Sequence, residues 1–200
     1  SQDYTPFFIT TAPQDFAALA PLQIELVMNP LLSEPEFERE RPVILEEISR
    51  ASDNPRRRLF ARSMEMAFER LPYRRPVLGQ SDIICNLKVD QMREFHRNWY
   101  HPERTTAVAV GNLPVETLVQ TVADSFERAL QQRQAPAQRR YTDANIYRSA
   151  PESPFTAIAR QHYADAALQQ ARLVMSWRVP GLAEVEDTAA LDVLASVVGR

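Results

Sequence analysis

Glycine is scarce, and that scarcity already removes one class of chemistry. The chain has 200 residues and four glycines, none closely spaced. A Gly-rich phosphate-cradling loop needs several glycines within a few residues, so none can form here. There is one cysteine, Cys85, beside Ile83 and Ile84. A single thiol makes no internal disulfide, and Cys85 reads as a small apolar residue. No apolar run approaches the roughly 20 residues that a membrane span needs. No leader peptide is visible. Basic excess is also lacking: 23 Lys and Arg stand against 26 Asp and Glu, a net charge of −3. That balance gives no electrostatic footprint for nucleic acid. The H-E-x-x-H, H-x-x-E-H and G-x-S-x-G motifs are absent, as is any solenoid-period repeat.

What is present is an ordinary globular composition, 44% hydrophobic and 24% charged. Phe7–Thr11 has the look of a strand. A helix follows through Phe16, Leu19, Leu22, Ile24, Leu26 and Val27, and Pro30 ends it. Ser33-x-x-Glu36, with Pro35, is a capping-box pattern opening a helix to about Arg50. Asp53-Asn54-Pro55 breaks the chain and starts the next helix. Pro72 to Gly79 is a loop signature, and Asp90–Tyr100 is again helical. Thr105–Gly111 predicts a strand and Pro114 to Gln131 a helix. Residues 131–154 are rich in Gln, Arg, Pro, Ala and Ser, and read as an interdomain linker. Thr156–Tyr163 and Leu173–Val179 are two further strand candidates, followed by a helix over Glu184–Val198. The order of elements predicts an α+β fold in two domains. Both ends of the sequence read as cut.

The helix after Ser33 carries the anomaly. At about 100° per residue, Phe37, Ile44 and Ile48 fall together, with Val43 and Leu45 on the flanks. Glu40 and Glu47 stack on one line between Val43 and Ile44, inside the apolar arc, while Glu46 points to the opposite side. A carboxylate in an apolar face is costly unless a cation meets it. The expected partner is an arginine or a metal ion. Pro42, inside this helix, removes one backbone hydrogen bond. The histidines His96, His101 and His162 do not share a helix face and read as ordinary polar positions.

The run Phe37-Glu38-Arg39-Glu40-Arg41-Pro42-Val43-Ile44-Leu45-Glu46-Glu47-Ile48 resembles the helix after the metal motif in pitrilysin/insulinase-type zinc peptidases. The resemblance continues through Asp53-Asn54-Pro55, Pro72-Tyr73-x-x-Pro76-x-x-Gly79, Phe95–Pro102 and Val108-Ala109-Val110-Gly111-Asn112, and then through Ala171–Gly181 and Glu186–Leu191. It departs at Leu71, Arg104 and Asn112. The resemblance implies an α+β metallopeptidase half-domain, with a mixed or antiparallel sheet and packed helices, followed by the start of a second homologous domain. It assigns residues 1–130 to the later part of the catalytic domain, 131–154 to the linker and 155–200 to the second domain. It implies a zinc endopeptidase hydrolysing extended peptides, with Glu47 as a Zn2+ ligand and Glu40 as the companion acid that tunes it. The remaining ligands would come from an H-x-x-E-H roughly 30 residues before Ser1. Without them these residues alone would be inactive and hold zinc poorly. The implied partners are a peptide and a second homologous domain or subunit. The rival expectation is a non-catalytic homologous subunit that captures substrate or acts as a scaffold.

Overall fold

A computed structural model describes residues 2–133, 152–165, 168–181 and 184–198. Seven α-helices occur among them: α1 (Phe16–Met28), α2 (Glu34–Asp53), α3 (Pro55–Ala67), α4 (Ser81–Asn86), α5 (Val89–Trp99), α6 (Val115–Gln132) and α7 (Val185–Val198). Short 3-10 turns sit at Pro13–Asp15, Pro72–Arg74 and Pro102–Arg104. Each of these turns begins with proline, whose fixed φ suits the first helical position.

The expected α+β fold with a sheet is overturned: no strand or sheet occurs among the described residues. Phe7–Thr11, Thr105–Gly111, Thr156–Tyr163 and Leu173–Val179 all lack ladder partners. Their β-rich composition is real, but composition does not make a strand. A strand exists only through inter-strand hydrogen bonds, and its apolar face needs a layer to pack on. Val108 and Val110 are 80% and 93% exposed, so neither condition is met. The expected linker, 131–154, lies mostly outside the described residues.

The chain divides into two compact units, the first formed by the described residues of Ser1–Arg50 and Val77–Arg148. Its centre is the packing of α1 on α6. Ala20 and Met28 of α1, and Leu118 and Ala129 of α6, are buried. Small alanines let the two backbones approach, and Met28 fills the space left. Asn29, just past the end of α1, donates from Nδ2 to the Ala129 carbonyl of α6 at 2.8 Å. Helix α5 ties down the connection between α1 and α2. His96 Nε2 lies 2.8 Å from the Val27 carbonyl, and Arg93 Nε donates to the Leu32 carbonyl at 3.1 Å. Leu32 has φ +43°, a left-handed conformation that a leucine rarely adopts. The arginine contact therefore falls on a strained backbone position.

The second unit comprises the described residues of Ala51–Pro76 and Ser149–Arg200. Asn54 caps α3: its side-chain oxygen accepts the N–H groups of Arg56 and Arg57 at 3.0 and 3.3 Å. That is the break and restart the sequence predicts at Asp53-Asn54-Pro55. Beyond α3, Glu152 Oε1 accepts the N–H groups of Glu69, Arg70 and Leu71 at 2.9, 2.6 and 2.8 Å. These three bonds, led by that of Leu71, hold the Glu152 carboxyl below the usual carboxylate range. Arg178 donates to the Ala67 carbonyl at 2.7 Å and stacks over the Phe155 ring at 3.9 Å. Arg58 pairs with Asp165.

Met28 is 1% exposed, so Met28→Ala costs about 2–5 kcal/mol in urea unfolding. A second prediction concerns pH. Burial, with the Arg133 charge adding to it, lowers the pKa of His96 against the pull of the Val27 carbonyl. A carbonyl only accepts, so the neutral ring donates through Nε2–H. With the folded pKa below the ordinary value of about 6.5, the His96 contribution is complete above that value and lost as pH falls through the lower folded value. Unfolding free energy measured from pH 7.5 to 5 drops in the wild type. The drop is smaller in His96→Gln.

Candidate functional site

Helix α2 runs unbroken from Glu34 to Asp53, with Pro42 inside it. At its start the Ser33 hydroxyl donates to Glu36 at 2.6 Å, joining the two residues of the predicted cap. Its half-buried stripe is Phe37, Arg41, Ile44, Leu45 and Ile48. These recur at the helical period, so they form one face.

Glu40 and Glu47 lie on the same line, as the wheel predicts, but about a quarter-turn away from the centre of that stripe. Both are exposed. The expectation that they sit within a covered apolar face is therefore wrong. Periodicity locates residues around a helix axis, but the packing decides which arc is covered. Here Val43, next to both glutamates on the wheel, is 49% exposed. With water on that side, neither carboxylate needs a cation to avoid a burial cost.

The neighbouring acids are handled differently. Glu38 is held by Arg41 and Glu46 by Arg50, both along the helix surface. The side chains of Glu40 and Glu47 make no ion pair or hydrogen bond among the described residues. Their oxygens are open to solvent on one side of α2. No cluster of three or more His, Cys, Asp or Glu suited to a metal ion occurs among the described residues. A catalytic zinc takes three protein ligands. Two carboxylates from one helix, with no histidine beside them, do not make a zinc site by themselves.

The histidines are elsewhere. His96 is engaged with Val27 and stacks on Tyr100 at 4.6 Å. His101 Nδ1 lies beside Glu103, and His162 is exposed. Cys85 is exposed too.

The residue that sequence reasoning missed is Arg41. It lies on the covered stripe, where a charge is least expected, with its guanidinium 4.8 Å from the Phe37 ring centre. Each of its N–H groups has an acceptor. Nε and Nη2 donate to the two oxygens of Glu38 at 3.0 and 2.6 Å. Nη1 donates to the carbonyls of Ile84 and Cys85 at 2.5 and 3.0 Å, and Nη2 also donates to Leu87 at 2.9 Å. Those carbonyls form the C-terminal end of α4, where backbone acceptors lack helical partners and a cation meets the negative end of the dipole. The hydrogen bond from Arg41 holds the Glu38 carboxyl below its ordinary value, and Glu38 raises Arg41 in turn. The available signal was the arginine itself within the apolar stripe, three residues after a glutamate.

The family described as "Peptidase M16 inactive domain" matches residues 86–200, more than half of the chain. The chain belongs to the pitrilysin-type, or M16, peptidase family. The family match begins downstream of Glu40 and Glu47. An uncharacterized zinc protease of Streptomyces coelicolor is 27% identical over 203 residues, covering 100% of this chain and 42% of its own length. An uncharacterized zinc protease of Mycobacterium tuberculosis is 27% identical over 199 residues, covering 100% of this chain and 43% of its own. The zinc protease PqqE of Helicobacter pylori is 26% identical over 203 residues, with 100% and 43% covered. The chain thus spans less than half the length of these curated relatives. No solved structure matches it significantly. No described helix is long and apolar enough to cross a membrane.

Proposed function

We propose that these residues are part of a zinc-dependent endopeptidase that acts on extended peptides, with α2 as the helix that carries a metal ligand. Glu47 is the ligand and Glu40 the acid beside it on the same line. Residues 1–130 belong to the catalytic domain, 131–154 to a linker and 155–200 to a second homologous domain, with the remaining zinc ligands outside this sequence. Bound zinc would polarise a scissile carbonyl and lower the pKa of its water. The role of this chain's residues is to offer one rigid carboxylate and a neighbour that tunes it.

One observation carries the reading. On α2, arginines occupy Glu38 and Glu46, whereas Glu40 and Glu47 stand exposed in line with no cation among the described residues. Membership of a peptidase family whose relatives are named zinc proteases supports it. A second reading, a non-catalytic subunit that captures substrate or acts as a scaffold, draws support from the name of the matching family, an inactive domain.

The coding sequence upstream of Ser1 separates the two. The peptidase reading expects H-x-x-E-H roughly 30 residues before Ser1. Its absence there contradicts that reading and favours the non-catalytic one. In the full-length protein, Glu47→Gln removes peptide hydrolysis, and Glu40→Gln lowers activity or zinc affinity by about 10–100-fold. Unchanged hydrolysis in Glu47→Gln contradicts the assignment.

A further inference from the structure

We propose that Arg41 is a positioning residue: by clamping α2 to the end of α4 it fixes the rotation of α2 and so aims Glu40 and Glu47 away from the packed side. The inference deepens the peptidase reading and rests on it for its functional meaning. The clamp itself is a matter of geometry.

Three features set Arg41 apart from the arginines that merely decorate α2. Its side chain is only 14% exposed, whereas that of Arg50, in a comparable pair with Glu46, is 75% exposed. It uses every N–H it has. Its acceptors come from two places, the acid three residues back on its own helix and three carbonyls more than 40 residues ahead. A planar fork bound at all its positions resists rotation about the axis of α2, because turning the helix breaks several directional bonds together. The apolar stripe alone gives weaker control. Hydrophobic contact is non-directional, and Phe37, Ile44 and Ile48 are only half-buried. Glu40 precedes Arg41 by one residue and Glu47 follows it by six, so an error in rotation at Arg41 passes rigidly to both carboxylates. A metal ligand displaced by about 1 Å loses much of its value.

The role predicts that a guanidinium fork is needed and that a plain positive charge does not replace it. Lysine presents a point charge without the fork. Nitroxide labels are placed on Glu47→Cys in α2 and Asp82→Cys in α4, with Cys85→Ser removing the native thiol. Pulsed electron resonance then reads the distance distribution between them in the full-length protein, with any cysteine outside these residues also replaced by serine. With Arg41 present the distribution is narrow. In Arg41→Ala it becomes at least about twice as wide while far-ultraviolet circular dichroism keeps its helical signal, and added guanidinium, but not ammonium, narrows it again. Arg41→Lys is also broad, and it serves as the deciding variant if Arg41→Ala does not fold. A distribution of wild-type width in Arg41→Lys, or a broad one in Arg41→Ala that guanidinium leaves unchanged, overturns the proposal. The experiment needs neither zinc nor activity, so the clamp and the peptidase reading fail separately.

Discussion

A guanidinium taken out of water keeps its charge, so it must find an acceptor for each N–H or be expelled to the surface. Arg41 finds them in Glu38 and in the carbonyls of Ile84, Cys85 and Leu87. This constraint links parts of the first unit that apolar packing leaves loosely defined. It gives the end of the short helix α4 its acceptors' partners, and it sets which arc of α2 is covered. It also leaves Glu40 and Glu47 on the open arc. Around it, α1 and α6 supply the buried core, and His96 and Arg93 of α5 fasten the chain between α1 and α2. Polar contacts to backbone carbonyls recur throughout the molecule, with Arg178 on Ala67 in the second unit as another instance.

Much of the helical architecture was legible because helices are local. The stop after Val27, the helix start just past Ser33, the break at Asn54-Pro55, and the periods through α5 and α6 all rest on residues within a few positions of one another. Helix α4 was not legible, since six residues are too few to show a period. The strand readings failed for the opposite reason. Val108, Val110, Leu173 and Trp177 have the right composition, but pairing is non-local, and they stand exposed without a ladder. The wheel placed Glu40 and Glu47 correctly relative to each other. It misjudged the covered arc, because that arc includes an arginine whose carbonyl acceptors lie more than 40 residues away.

This correction changes the physical meaning of the two glutamates. Buried carboxylates would have required a cation for stability. Exposed ones impose no such requirement, so their open oxygens cost nothing to keep and remain available to an outside ligand. A rigid helix is a good platform for that purpose, because backbone hydrogen bonds and the Arg41 fork hold the helix that bears them, whereas a loop would leave them less defined. The family relationship supplies the context of zinc proteases at a little over twice this length.

The central claim, that α2 supplies a zinc ligand through Glu47, is tested most directly by X-ray absorption at the zinc edge on the full-length protein. The account predicts bound zinc with an oxygen ligand at about 2.0–2.2 Å alongside nitrogen ligands, and loss of that oxygen or of the metal in Glu47→Gln. A protein that binds no zinc, or a zinc spectrum unchanged by Glu47→Gln, would contradict it.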